Sequence, residues 1–80
     1  MDKALGKRIR HARIEYGMSQ AELARRIGIS PQSMNMIEAG RTADPAVSWV
    51  REIARVLRVS ADYLLGFTEK MERKIEAAVA

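Results

Sequence analysis

In "SPQSMNMIEAG", residues 30–40, two carboxamides, a hydroxyl and a thioether (Gln32, Asn35, Ser33 and Met36) stand on a segment that otherwise reads as a helix. A carboxamide holds donor and acceptor in one plane, a hydroxyl serves as either, and a thioether offers a soft apolar contact. None of these groups is a strong acid, base or nucleophile unaided, so the chemistry open to them is recognition by hydrogen bonds and apolar contact. They are also neither strong helix formers nor the Lys/Glu mixture of a solubilising face. Met34 and Ile37 read as the core-facing residues of the same segment.

Bond-making chemistry has few candidates elsewhere. The chain has no cysteine and one histidine, which removes disulfides, thiolate nucleophiles and cysteine- or histidine-based metal clusters. Ser19, Ser30 and Ser60 each precede an apolar helical pattern and are accounted for as helix caps. His11 has no carboxylate or serine in a recognisable arrangement and reads as a partly exposed helix residue. No enzyme, cofactor or metal is expected. No apolar run approaches the roughly 18 residues of a membrane span, and "MDKALGKRIRHAR" lacks the apolar centre of a secretion signal. The expectation is a cytoplasmic protein without a membrane segment.

The elements that must position the recognition residues are helical. With 80 residues, 48% of them hydrophobic, there is material for one small core. Strand alternation and Asn-Gly or Asp-Gly hairpins are absent. A first helix is predicted from about Asp2 to Tyr16, with Leu5, Ile9 and Ala12 on one face and Gly17 as its stop. "SQAELARRIG" opens with a capping box, Ser19 accepting from a backbone N–H and Glu22 reaching back; Leu23, Ala24 and Ile27 form its buried stripe, and Gly28 ends it. Ser30 and Pro31 start the third helix, since proline lacks an N–H that would have no partner there, and Gly40 closes it.

Asp44 and Pro45 repeat the cap-then-proline start for a fourth helix carrying Ala46, Val50, Ile53, Ala54 and Leu57, with Trp49 at the core edge. "SADYLLG" makes a short fifth helix after Ser60. Thr68 is a candidate cap for a last charged segment with Met71, Ile75 and Val79 every four residues.

The net charge of +4 lies entirely in residues 1–41, where eight Lys/Arg face four Asp/Glu; residues 42–80 carry six of each. A surplus confined to the half with the amide-rich helix suits a polyanionic partner. Two short helices joined by a tight glycine-containing turn match a helix-turn-helix arrangement. In that arrangement the first helix lies across the DNA backbone and the second enters the major groove. The N-terminal N–H groups of "SQAE" then suit a phosphate, with Gln20 free to add a donor.

From Ile9 to Leu65 the chain resembles the Cro/phage-repressor-type helix-turn-helix family, also called the xenobiotic-response-element family. The likeness rests on "RIEYGMSQAELARRIGISPQSMNMIEAGR" and "DPAVSWVREIARVLRVSADYLL". It implies a helix-turn-helix core of Leu23, Ala24, Gly28, Ile29, Met34 and Ile37, and a structural ion pair between Arg13 and Glu38. It also implies base readout by Gln32, Ser33, Asn35 and Met36, because Gln and Asn can bond adenine and a Met can lie against a thymine methyl. Phosphate contacts fall to Ser19, Gln20 and Arg41, with Arg10 and, less firmly placed, Lys7, Arg25 and Arg26. Pro31 departs from the commoner pattern, and residues 68–80 lie outside it.

The expected protein is therefore all-α, with a five-helix repressor-like domain over residues 1–66 and a helical tail over 67–80. It is expected to regulate transcription, as a repressor, by docking residues 31–39 in the major groove of double-stranded DNA at a palindromic operator. Homodimerisation follows from the resemblance and from the need to place two recognition helices about 34 Å apart. Tyr63, Leu65, Phe67, Met71 and Ile75 are its expected contacts. The alternative is a protein-interaction module, an antitoxin or adaptor, binding a partner through the tail.

Overall fold

The serines placed before the apolar patterns do start helices. The computed structural model describes residues 3–42 and 45–71, with α1 at Lys3–Tyr16, α2 at Gln20–Ile27, α3 at Pro31–Glu38, α4 at Val47–Leu57 and α5 at Ala61–Leu65. Ser19 Oγ accepts from the Glu22 N–H at 3.0 Å, Ser30 Oγ from Ser33 at 3.0 Å and Ser60 Oγ from Tyr63 at 2.9 Å. Each bond satisfies a first-turn donor that has no partner within the helix.

The helices end by one device. Two successive N–H groups reach back into the last turn, as in Gly40 to the Ile37 carbonyl at 3.1 Å and Arg41 to Met36 at 2.9 Å. The bend needs a positive φ, supplied by Gly17, Gly28, Gly40 and Gly66. At the end of α4 the same bend is made by Arg58, with φ 58°, the one positive-φ residue other than glycine among those described.

Helix α4 corrects the expected cap-then-proline start. It begins at Val47 with Ala46 as its cap residue and no side-chain capping bond. Ala46 is exposed, so the buried stripe starts at Val50. Asp44 lies outside the described residues.

Leu5, Ile9 and Ala12 from α1, Leu23 and Ala24 from α2, Met34 and Ile37 from α3, the α4 stripe, and Leu64 form one core. Each fully buried Leu, Ile or Met contributes roughly 1.5–3 kcal/mol of burial. Trp49 packs half-buried at its edge. Helix α2 packs on α3 and α4, while α1 touches α3, α4 and α5, so α1 and α4 brace the α2–α3 pair from behind. A Cβ on Gly6 would sit 2.5 Å from the carbonyl oxygens of both Ile37 and Glu38. Glycine there lets the backbone of α1 seat directly against the end of α3.

Tyr63 corrects a second expectation. It is 8% exposed and belongs to the core, so its ring is not offered to a second subunit. Burial pushes its phenol above the ordinary value, against a smaller opposing pull from the Arg8 charge. Beyond α5 the Phe67 N–H bonds the Asp62 carbonyl at 2.8 Å, and the Met71 carbonyl accepts from the Ser60 N–H at 3.3 Å. Thr68 Oγ1 accepts from the Lys70 N–H at 3.2 Å. Met71 packs half-buried on the core. The expected last helix, with Ile75 and Val79, falls beyond Met71 outside the described residues.

Candidate nucleic-acid interface

Helix α3 divides cleanly into a buried and an outward face. Met34 and Ile37 are fully buried, whereas Gln32, Asn35 and Met36 are exposed and Ser33 is half-buried. Met36 is 39% exposed, so its thioether is available on the outward face. The turn into α3 spans residues 28–30. Gly28 takes φ 80° and Ile29 is half-buried beneath the turn. Ala24, fully buried, leaves room for α2 to pack closely.

A hydrogen-bonded relay fixes the far end of α3. Arg13 Nε donates to Glu38 Oε2 at 2.7 Å and Arg13 Nη2 donates to Oε1 at 3.1 Å. The remaining Arg13 Nη1 donates to the Met18 carbonyl at 2.9 Å. The Glu38 side chain is 3% exposed, so this charge is held by its partners rather than by water. Gln20 Nε2 donates to Glu38 Oε1 at 3.0 Å, and Asn35 Nδ2 donates to Gln20 Oε1 at 3.3 Å. The relay therefore runs from α1 through the start of α2 to the outward face of α3.

The Gln20 side chain, expected to add a donor, is held within the relay. Its amide is clamped at both ends, and only its second N–H remains to meet an anion at the positive end of α2. The Glu22 carboxylate likewise does not complete the capping box; Arg26 Nη2 holds it at 2.9 Å, with Arg25 Nη2 at 4.0 Å. Ser33 Oγ accepts from the Ser30 hydroxyl at 2.9 Å, so its own proton is left for another acceptor.

Exposed cations lie on the elements that flank α3 in the chain or pack against it. Arg41 is exposed just past α3, Lys7 and Arg10 are exposed on α1, and Ser19 is exposed at the start of α2. Arg25 and Arg26 are exposed but share the Glu22 charge. At the other end of the molecule Leu65 and Phe67 are exposed, Met71 is half-buried, and Ile75 lies outside the described residues. Sequence reasoning missed Gly6, although a glycine inside a helix costs about 1 kcal/mol relative to alanine and so signals a close approach. It also missed the Gln20–Asn35 bond, which no local pattern encodes.

Among the described residues no His, Asp and Glu cluster is placed to hold a metal ion, and no helix is long and apolar enough to cross a membrane.

The helix-turn-helix family model matches residues 9–64. The HTH-type transcriptional regulator for conjugative element R391 of Providencia rettgeri is 44% identical over 62 residues, covering 78% of this chain. The chain spans 28% of that relative's length. Two solved structures are similar. The master regulator for biofilm formation SinR in complex with DNA is 33% identical with TM-score 0.71, covering 76% of this chain and 97% of that one. SinR in the SinR/SinI protein complex is 30% identical with TM-score 0.74, covering 94% and 74%.

Proposed function

Because the chain belongs to the helix-turn-helix family of the Cro/phage-repressor type, we propose that it is a sequence-specific regulator of transcription that binds double-stranded DNA. In this reading it is a cytoplasmic repressor without catalytic activity, and it docks α3 in the major groove of a palindromic operator as a homodimer. The observation that carries the reading is the division of α3. Its apolar side is locked into the core, while Gln32, Asn35 and Met36 are presented outward from a rigid base.

The roles follow from chemistry. Gln32 and Asn35 suit the paired donor and acceptor of adenine in the major groove, Met36 suits a thymine methyl, and Ser33 suits base or phosphate. Asn35 is aimed by Gln20, which is itself aimed by Glu38. Ser19, the remaining Gln20 N–H, Arg41 and Arg10 suit phosphates on either side, fixing the register of the helix without reading sequence. Selection of bound duplexes from a random pool tests the reading. It should return one enriched motif with two half-sites related by a dyad. Failure to retain any duplex at low salt would refute it.

A second reading has two observations in its favour. The likeness to SinR in its complex with SinI extends over 94% of this chain, and Leu65 and Phe67 leave an apolar surface at the end of α5. A protein partner held through this end and the tail is compatible with DNA binding through α3.

A further inference from the structure

We propose that an arginine-lined cleft where three helices end binds a small phosphorylated molecule carrying a flat ring, the chemistry of a nucleotide. The cleft, of about 330 Å³, is lined by Tyr16 from the end of α1, Arg26 from the last turn of α2, and Arg55, Val56 and Arg58 from the end of α4. The packing of α1 and α2 on α4 brings these ends together. No α3 residue lines it. Arg26, a lesser candidate for a DNA phosphate in the sequence, is the one point of overlap with the DNA-binding residues.

The lining selects the class of ligand. A guanidinium offers several N–H donors and no acceptor, and a phenol can donate as well, so these groups suit a ligand rich in anionic oxygens. Phosphate meets them with charge-assisted hydrogen bonds from more than one side. Tyr16 is 45% exposed, which leaves its ring available for a base or similar ring to lie against. The volume is that of a small-molecule site.

Arginines in a last helical turn often serve only the helix, by bonding its last carbonyls. Here the backbone meets those carbonyls. In α2 the Ala24 carbonyl accepts from the Ile29 N–H at 3.0 Å, and in α4 the Ala54 carbonyl accepts from the Val59 N–H at 3.0 Å. Arg26 and Arg55 are tied instead to Glu22 and Glu52 on their own helices, at 2.9 and 2.6 Å, and neither glutamate lines the cleft. Solvent-facing pairs of this kind contribute little, so both guanidiniums can turn toward a ligand.

Arg58 carries the point furthest. Its side chain has no hydrogen-bond or ion-pair partner among the described residues, and it is exposed. Yet at φ 58° it occupies the bend that glycine makes after each of the other four helices. A side chain kept in a backbone conformation that disfavours it, without a bond in the fold, points to a use outside the fold.

Calorimetric titration of the full chain with inorganic pyrophosphate and with adenosine diphosphate tests this. Both should bind, the nucleotide about fivefold or more tightly. Arg58→Gly and Arg55→Ala should each weaken both ligands by about fivefold or more, and Tyr16→Ala should remove the preference for the nucleotide. Glycine suits the Arg58 bend, so that variant keeps its fold, and its melting temperature should respond less to either ligand than that of the wild type. Absence of binding at millimolar ligand, or binding that Arg58→Gly and Arg55→Ala leave undiminished, overturns the site. Binding that is lost with Arg41→Ala instead places the anion on the DNA face and also overturns it. Equal affinity of the wild type for the two ligands overturns the role of the Tyr16 ring.

Discussion

Arg13 and Glu38, separated by 25 positions in the chain, meet through two charge-assisted hydrogen bonds of 2.7 and 3.1 Å that tie α1 to the last turn of α3. Glu38 also holds Gln20, so one nearly buried carboxylate both anchors the outward helix and orients an amide on the proposed DNA face.

Removing one partner leaves the other charge unpaired in a site with little water. Glu38→Ala should therefore lower stability by about 3–5 kcal/mol, seen as a fall in the urea midpoint. Replacing both partners with apolar residues, as Arg13→Met with Glu38→Leu, should recover at least half of that loss, because no unpaired charge remains. A single variant that lost under about 1 kcal/mol would show the pair to be peripheral.

Gly6 reverses an ordinary rule. Glycine to alanine inside a helix usually stabilises by up to about 1 kcal/mol. At this position the new methyl would press on the carbonyls of Ile37 and Glu38 at 2.5 Å. Gly6→Ala should destabilise by about 1–3 kcal/mol in chemical denaturation, the cost of forcing packed backbone apart. It should also weaken DNA binding, because α3 must tilt. A more stable Gly6→Ala protein would contradict the close seating of α1 on α3.

Arg58 makes the α4 bend with φ 58°, a left-handed conformation that disfavours a side chain by roughly 1–2 kcal/mol. Glycine relieves that strain but adds freedom to the unfolded chain. Arg58→Gly should raise stability by a net of about 0.5–1 kcal/mol, read as a higher melting temperature. A lower melting temperature would mean that the Arg58 side chain contributes more to the fold than its backbone costs.

The order and type of the elements were legible because local chemistry sets them. A serine before an apolar stripe can satisfy a first-turn N–H only by capping, and the glycines mark bends that need positive φ. The start of α4 was misread because Asp-Pro is also a good helix start, whereas Ala46 keeps an extended backbone and the helix begins at Val47. Tyr63 was grouped with Leu65 and Phe67 as a dimer contact, yet its ring belongs to the core with Leu64. The outward face of α3 could be picked out by residue type. The relay behind it could not, because Gln20 and Asn35 are 15 residues apart and meet only once the α2–α3 turn is built.

In the proposed complex α3 reads bases while the residues around it hold phosphates. The most direct measurement compares Gln32→Ala and Arg41→Ala by titration against the selected duplex and every single-base variant of it, at several salt concentrations. Gln32→Ala should lose about 1–3 kcal/mol of discrimination at one base position in each half-site and keep its salt slope. Arg41→Ala should weaken every duplex alike and lower the salt slope by about 1. If both variants weaken all duplexes equally, or if neither changes binding, α3 is not the surface that selects the sequence.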